Sequence, residues 1–221
     1  MGSHSKIQLT YLPISARGFP IRLCLRAANI SFDDIRLPRE ELVSRRGPAG
    51  SSPSIPLGQL PTLETLDGEL FTQSIPISRW AAQQATSTTL YPKDLLQSLR
   101  VEEMVAVLDE LWSKVPMARH FGMSNVEHLT SARTEFVKTV APKYFAKISD
   151  RLARSGPFVL GSEPSFADVW ISAFLIHLQT GLYSTPDGQI TLALIEPYPL
   201  IKNLFTSFLS SDLYKQFGEP N

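Results

Sequence analysis

The sequence predicts an α/β unit followed by an all-helical unit, and three observations lead there. Short β-like runs at Lys6–Tyr11, Phe32–Leu37, Thr62–Leu66 and Glu69–Thr72 are interleaved with helical patterns at Phe19–Asn29 and Ser74–Gln84. Beyond residue 86 the apolar spacing is helical almost throughout. Between the two lies Thr86–Pro92, a polar, β-branched stretch ending in proline, which reads as a linker. The expected domains are residues 1–85 and 94–221, joined by 86–93.

Each element has a local reason. Arg39–Pro56 is rich in Gly, Pro and Ser, so a long mobile loop is expected there. Asp67-Gly68 between two apolar runs is a hairpin signal, because such turns need positive φ. Gln73-Ser74 then opens a helix, where free backbone N–H groups and the helix dipole favour an anion. In the helical part Leu95, Leu99, Val101, Met104, Val105, Val107, Leu108, Leu111 and Trp112 form a wide apolar face. A second long helix is expected from about Val126 to Ala153, kinked or broken at Pro142. Ser165-Phe-Ala-Asp168 is an N-capping sequence, with a role in folding rather than catalysis.

Composition bounds the function. With 221 residues and 43% hydrophobic content the chain can bury a substantial core. Twenty-one basic and 21 acidic residues cancel without any block of like charge, so neither nucleic acid nor an anionic membrane is a favoured partner. No apolar run approaches the roughly 18 residues of a spanning helix, and MGSHSK lacks the apolar core of a signal peptide. A cytoplasmic protein is expected. One cysteine, Cys24, forms no intramolecular framework. The histidines at 4, 120, 128 and 177 have no metal-ligand spacing, so no metal is expected.

The block Gly58–Trp80, GQLPTLETLDGELFTQSIPISRW, together with Ile7–Leu37, resembles the thioredoxin-like half of cytosolic glutathione transferases. Phe158–Leu175, FVLGSEPSFADVWISAFL, is similar to that family's carboxy-terminal helical signature. The likeness spans nearly the whole chain and is nearest to the sigma class, which includes prostaglandin D synthases. It implies a thioredoxin-like domain followed by a helical domain, glutathione as co-substrate, a hydrophobic electrophile and a homodimer. It also implies a cis peptide bond at Leu60-Pro61.

By this resemblance Tyr11, at the end of the first strand, is the catalytic hydroxyl. A thiol with pKa near 8.5 is only a few per cent ionised at neutral pH, and the thiolate is the nucleophile. A hydroxyl that donates a hydrogen bond to the sulfur stabilises that anion. Ser15 is the alternative donor, since delta-like relatives use a serine after the first strand, and Arg17 matches an arginine near the thiolate. Cys24 is a third possibility, although its place inside an apolar helical run reads as a buried, inert thiol.

Glutathione carries two carboxylates and one ammonium, so it needs donors at both ends and an acid at the amine. The resemblance puts Gln73 and Ser74 on the γ-glutamyl carboxylate, Leu60 and Pro61 beside the cysteinyl backbone, and Gln59 next to them. The family's tryptophan at the glycyl end is absent, which leaves Arg46, or Arg45 by a one-residue shift, as the clamp. Asp109 or Glu110 would reach the amine from the other subunit of a dimer; on the residues alone both are ordinary helix carboxylates. Leu12, Ile14, Leu111, Trp112, Met117, Trp170 and Phe217 match residues lining the electrophile pocket, and any one of them could equally be core. Two further functions stay open, a glutathione-dependent isomerase or biosynthetic transferase with one dedicated substrate, and a non-catalytic ligand-binding or structural protein of the same fold.

Overall fold

The computed structural model describes residues 5–45, 55–86, 90–116, 126–180 and 190–218. Its packing divides into two compact units, one running to Leu90 and including the residues from Gln216, the other covering Tyr91–Lys215.

The first unit is built on a four-stranded sheet of order β2-β1-β3-β4, with β1 at Ile7–Tyr11, β2 at Phe32–Arg36, β3 at Thr62–Glu64 and β4 at Leu70–Thr72. β1 and β2 are parallel, and β3 runs antiparallel to both β1 and β4. The parallel pair needs a crossover, supplied by helix α1 at Gly18–Ala27. That helix ends where Asn29 takes φ 54°, which lets the Ile30 N–H bond back to the Leu25 carbonyl. α1 packs on helix α3, Ser74–Gln84, and together they bury Phe19, Ile21, Leu25, Ile77 and Ala81. The hairpin between β3 and β4 turns at Thr65–Gly68, where the Gly68 N–H bonds to the Thr65 carbonyl at 3.1 Å. Only Gly68 takes positive φ, at 85°. The Asp-Gly turn thus takes its positive φ at the glycine, as expected, and its strands are shorter than the sequence suggested.

The expected mobile loop begins as structure. Arg39–Arg45 forms helix α2, whose Leu42 is buried with Leu37 and Ile55 in a small cluster that also takes Leu12 and Leu60. Residues 46–54 lie outside the described ones.

In the second unit α4 covers Leu95–Ser113, starting at Asp94, whose carboxylate accepts the Gln97 N–H at 2.8 Å. Val101, Met104, Val105, Leu108, Leu111 and Trp112 are buried as the apolar spacing predicts, but Leu95 and Leu99 are 85% and 63% exposed. The face is narrower than expected because, at about 100° per residue, Leu95 and Leu99 project from the side of α4 opposite Val101, Leu108 and Trp112. α5, Val126–Glu135, continues through a π-helical turn at Phe136–Val140 into α6, Ala141–Ser155. The Ala141 N–H bonds to the Phe136 carbonyl five residues back, so Pro142 falls in the first turn of α6, where its missing N–H costs little. Pro142 thus causes a change of helical pitch, the form the predicted kink takes. α6 buries Ala141, Phe145, Ile148 and Leu152, an amphipathic stripe, and stops at Gly156 with φ 113°.

α7, Phe166–Gln179, is the centre of this unit, with every residue from Phe166 to Leu178 buried. Its start is the expected capping box. The Asp168 carboxylate accepts the Ser165 N–H at 2.8 Å, the Ser165 hydroxyl at 2.6 Å and the Val159 N–H at 3.0 Å. Burial pushes the Asp168 pKa up from 3.8 to about 6, against the lowering effect of these donors. Trp112 of α4 meets Trp170 and Phe174 edge to face at centroid distances of 6.0 and 5.3 Å, which locks α4 on α7. α8, Pro199–Ser210, packs on α6 and α7, and α9, Asp212–Phe217, follows it. Among the described residues no helix is long and apolar enough to cross a membrane.

Candidate active site

Sheet register gathers the residues named for glutathione. Thr10 pairs with Thr62, and Thr62 pairs with Thr72. The residue after Thr10, those before Thr62 and those after Thr72 consequently emerge at one end of the sheet. They are Tyr11, Gln59-Leu60-Pro61 and Gln73-Ser74. This end carries the carboxyl terminus of β1, where open sheets with parallel strands commonly take ligands.

Tyr11 closes β1, pairing with Arg36 of β2, and its carbonyl accepts the Leu37 N–H at 2.7 Å. Its ring is buried against the start of α1, and the contact requires Gly18. A Cβ there would lie 2.5 Å from Tyr11 Cδ1 and 2.8 Å from Arg22 Nη1. Arg22 itself has no exposed surface. Its Nε donates to Asp34 Oδ1 at 2.9 Å, Nη1 to the Ile14 carbonyl at 3.0 Å and Nη2 to the Leu12 carbonyl at 3.5 Å. Its guanidinium carbon lies 5.8 Å from the Tyr11 ring centroid. One buried cation thereby fixes both the turn after β1 and the tyrosine ring. Neither Gly18 nor Arg22 was named from sequence as a site residue. The available signal was a charged residue between Ile21 and Leu23 in an apolar run, since a buried arginine must be paired.

Ser15 is half-buried in the turn, its carbonyl accepting the Phe19 N–H at 2.9 Å, and Ala16 beside it takes φ 34°. Arg17 is the N-cap residue of α1. Cys24 is fully buried, and burial pushes its thiol well above the ordinary range, which disfavours the thiolate form.

On the other side of the register row, Leu60-Pro61 is a cis peptide, in agreement with the resemblance. Gln73 stands at φ 73°, ψ 117°, a sparsely populated conformation for a residue with a side chain. It is the N-cap residue of α3, and Ser74, buried, is the first residue of the helix. The first-turn N–H groups of α3 thus begin at the sheet end that holds Tyr11.

The remaining residues fall as follows. Arg45, at the end of α2, pairs with Glu41, while Arg46 and Met117 lie outside the described residues. Leu12 and Ile14 are half-buried in the turn after β1. Phe217 ends α9, and its carbonyl accepts Arg26 Nη1 at 3.2 Å. In the helical unit Leu111 and Trp170 have no exposed surface and Trp112 is 7% exposed, so these three are interior residues there. Glu110 is on the surface of α4, bonded to the Tyr144 hydroxyl at 2.8 Å and to Lys114 at 3.2 Å, contacts that hold its carboxyl below the ordinary range. Asp109 beside it is half-buried. Among the described residues no group of three or more His, Cys, Asp or Glu side chains is placed to hold a metal ion.

Residues 115–218 match the family model of the glutathione S-transferase carboxy-terminal domain. A glutathione S-transferase of Anopheles gambiae is 27% identical over 210 residues, covering 94% of this chain and 92% of the relative. Glutathione S-transferase 4 of Caenorhabditis elegans is 28% identical over 178 residues, 77% and 79% of the two chains. Among solved structures, prostaglandin synthase D of Nilaparvata lugens superposes with a TM-score of 0.77 over 95% of each chain at 23% identity. The glutathione S-transferase of Ascaris lumbricoides gives 0.70 over 95% of this chain and 94% of its own, also at 23%. The fold is therefore that of the glutathione transferases, and the domain match over residues 115–218 and the curated relatives support that family for this chain.

Proposed function

We propose that this chain is a sigma-like glutathione transferase in which the Tyr11 hydroxyl holds the glutathione sulfur as a thiolate for attack on a hydrophobic electrophile. The observation that carries the reading is the single sheet end at which Tyr11, Leu60-Pro61 and the strained Gln73-Ser74 start of α3 emerge together. Curated relatives named as glutathione transferases support the enzyme class.

The chemistry follows from that arrangement. Bound glutathione presents its γ-glutamyl carboxylate to the first N–H groups of α3 and to the Ser74 hydroxyl, where the helix dipole favours negative charge. Its cysteinyl unit lies along Leu60 beside Gln59, its glycyl carboxylate meets Arg45 or Arg46, and its sulfur faces Tyr11, with Arg17 adding positive charge nearby. The thiol proton leaves to solvent as the Tyr11 O–H donates to the sulfur. Lowering the thiol pKa by about two units corresponds to about 2.7 kcal/mol of preference for the thiolate. One charge-assisted hydrogen bond together with a helix amino terminus is of that order. The sulfur then forms a bond to the electrophilic carbon, and the leaving group departs with its electron pair. Leu12 and Ile14 supply apolar contacts beside the sulfur.

The test is the ultraviolet absorbance of bound glutathione thiolate as pH is varied, in wild type and in Tyr11→Phe. A thiol pKa about two units low in wild type and restored in the variant is expected, with turnover falling about 100-fold and glutathione affinity little changed. An equal loss in Ser15→Ala with none in Tyr11→Phe would transfer the role to Ser15. Glutathione bound without any depression in wild type would instead indicate a carrier or structural protein.

The same reading takes the chain as a homodimer whose Asp109 or Glu110 completes the neighbouring site at the glutathione amine. Exposed Leu70 and Phe71 on edge strand β4, and exposed Leu95, Leu96 and Leu99 on α4, are apolar surface suited to a second copy. One neighbour in fold, from Necator americanus, is described as monomeric, so the architecture alone does not require a pair. Light scattering is expected to give twice the chain mass; a monomer with full turnover would end the cross-subunit role.

A further inference from the structure

The helical unit contains a cleft of about 400 Å³ lined by Arg100, Arg151, Arg154, Ser155, Val159 and Leu160. Arg100 comes from the second turn of α4, and Arg151 to Ser155 form the last turn of α6. The walls carry three guanidinium groups in a chain whose formal net charge is zero.

The surrounding carboxylates do not balance them. Glu103 accepts Lys147 at 2.7 Å and Arg151 Nη2 at 2.8 Å, so one negative charge serves two cations. Asp150 pairs with Arg154 at 3.1 Å across exposed surface, where such a pair contributes little. Arg100 has no ion-pair partner among the described residues. Three guanidinium groups thus line the cleft with no carboxylate among its lining residues, and the two carboxylates that pair with them are shared or exposed. The Arg151 Nε is also buried without an acceptor, which a protein normally avoids because an unmet buried donor is costly. The Ser155 hydroxyl is already committed, donating to the Phe158 carbonyl at 2.8 Å. The guanidinium groups are therefore the donors on offer.

We propose that this cleft binds a small organic molecule carrying a multiply charged oxyanion, a phosphate monoester or a dicarboxylate. The planar N–H forks of arginine match either head group in bidentate geometry. A volume of about 400 Å³ lies at the small end of ligand sites and excludes a bulky ligand. Val159 and Leu160 give one apolar edge against which the ligand's carbon skeleton packs. The site is separate from the glutathione reading and stands or falls without it, since all six lining residues belong to the helical unit.

The experiment is calorimetric titration of the full chain with glycerol 2-phosphate and with succinate, at fixed ionic strength and without glutathione. The control is the double variant Arg100→Gln, Arg154→Gln, which leaves the Arg151–Glu103 contact in place. Saturable binding of at least one probe is expected, weakened about tenfold or more in the variant, while the thermal midpoint without ligand and the turnover of glutathione conjugation stay as in wild type. The tighter of the two probes identifies the head group. No saturable binding of either probe, or equal affinity in the variant, would overturn the site.

Discussion

Among the described residues, every non-glycine residue with positive φ, namely Ala16, Asn29, Leu57 and Gln73, lies in the α/β unit; in the helical unit positive φ is confined to Gly156 and Gly161. Buried charge divides in a parallel way. In the α/β unit the buried Arg22 anchors the turn carrying Leu12 and Ile14, next to Tyr11. In the helical unit the buried Asp168 ties the start of α7 to the Phe158–Gly161 turn, with no candidate catalytic group beside it. Ala16 and Gln73 in one unit therefore flank the proposed chemistry, while Asn29 ends a helix there as Gly156 does in the other. Strained backbone persists only where its surroundings over-determine it, and such positions concentrate at ligand sites.

Asp168 offers the largest effect with which to break this contrast. Asp168→Ala removes the acceptor of three buried donors and is expected to destabilise the protein by about 3–5 kcal/mol in urea denaturation. If Asp168 serves folding alone, the variant that remains folded at low temperature keeps its glutathione affinity and thiolate pKa. Altered thiolate chemistry would give the helical cap a share in the site and dissolve the comparison. Its pH dependence has a fixed sign. Because the folded pKa of about 6 exceeds the ordinary 3.8, protonation favours the folded state. The associated stability is complete below the lower value and is lost as pH rises through the higher one, a change of about 3 kcal/mol. Measured against Asp168→Asn, wild-type stability should thus decline between about pH 4 and about pH 7; a rise would show that the three donors outweigh burial.

The smaller effect of Tyr11→Phe, about 2.7 kcal/mol on turnover, bears on the other half of the contrast. It should leave stability almost untouched, because the ring stays packed against Gly18 and Arg22 when only the hydroxyl is lost. Denaturant midpoints of the two proteins check this directly. A large destabilisation would mean that the hydroxyl, and not the ring alone, is part of the packing.

What the sequence made legible was mostly local. Period-two and period-3.6 spacing located β1, α1, α3 and α4, and the Ser165-x-x-Asp168 spacing located a cap whose bonds are all formed. Tertiary context decided the rest. Leu95 and Leu99 are apolar yet project from the side of α4 opposite the one that packs on α7, since apolar content spread this widely around a helix does not say which side is covered. Pro142 announced an interruption without specifying that a π-helical turn would absorb it. Tyr11, Leu60 and Gln73 were named through a resemblance; that one register row would bring them to one sheet end depends on pairing between strands more than 50 residues apart, from Thr10 to Thr62. Arg22 escaped notice as a site residue because, besides Asp34, its partners are the Leu12 and Ile14 carbonyls, and no side-chain pattern encodes the direction of a carbonyl.

Gln73→Gly sharpens the comparison with the smallest effect. Holding a side-chain residue at φ 73°, ψ 117° costs about 1–3 kcal/mol, and glycine relieves that cost while adding about 0.5–1 kcal/mol of chain entropy to be lost on folding. The net expectation is a gain of about 1 kcal/mol in stability by denaturant titration. If the strain is retained because the Gln73 side chain holds the γ-glutamyl carboxylate, glutathione affinity falls about tenfold in the same variant. Stability and binding then move in opposite directions, as they do when a strained residue is kept for its ligand. If the variant gains stability and binds glutathione as well as wild type, the backbone of α3 alone captures the carboxylate and the side chain is dispensable. If it loses stability, Gln73 is held by contacts that repay the strain within the fold, and the α/β unit is no more committed to its ligand at this position than the helical unit is at Asp168.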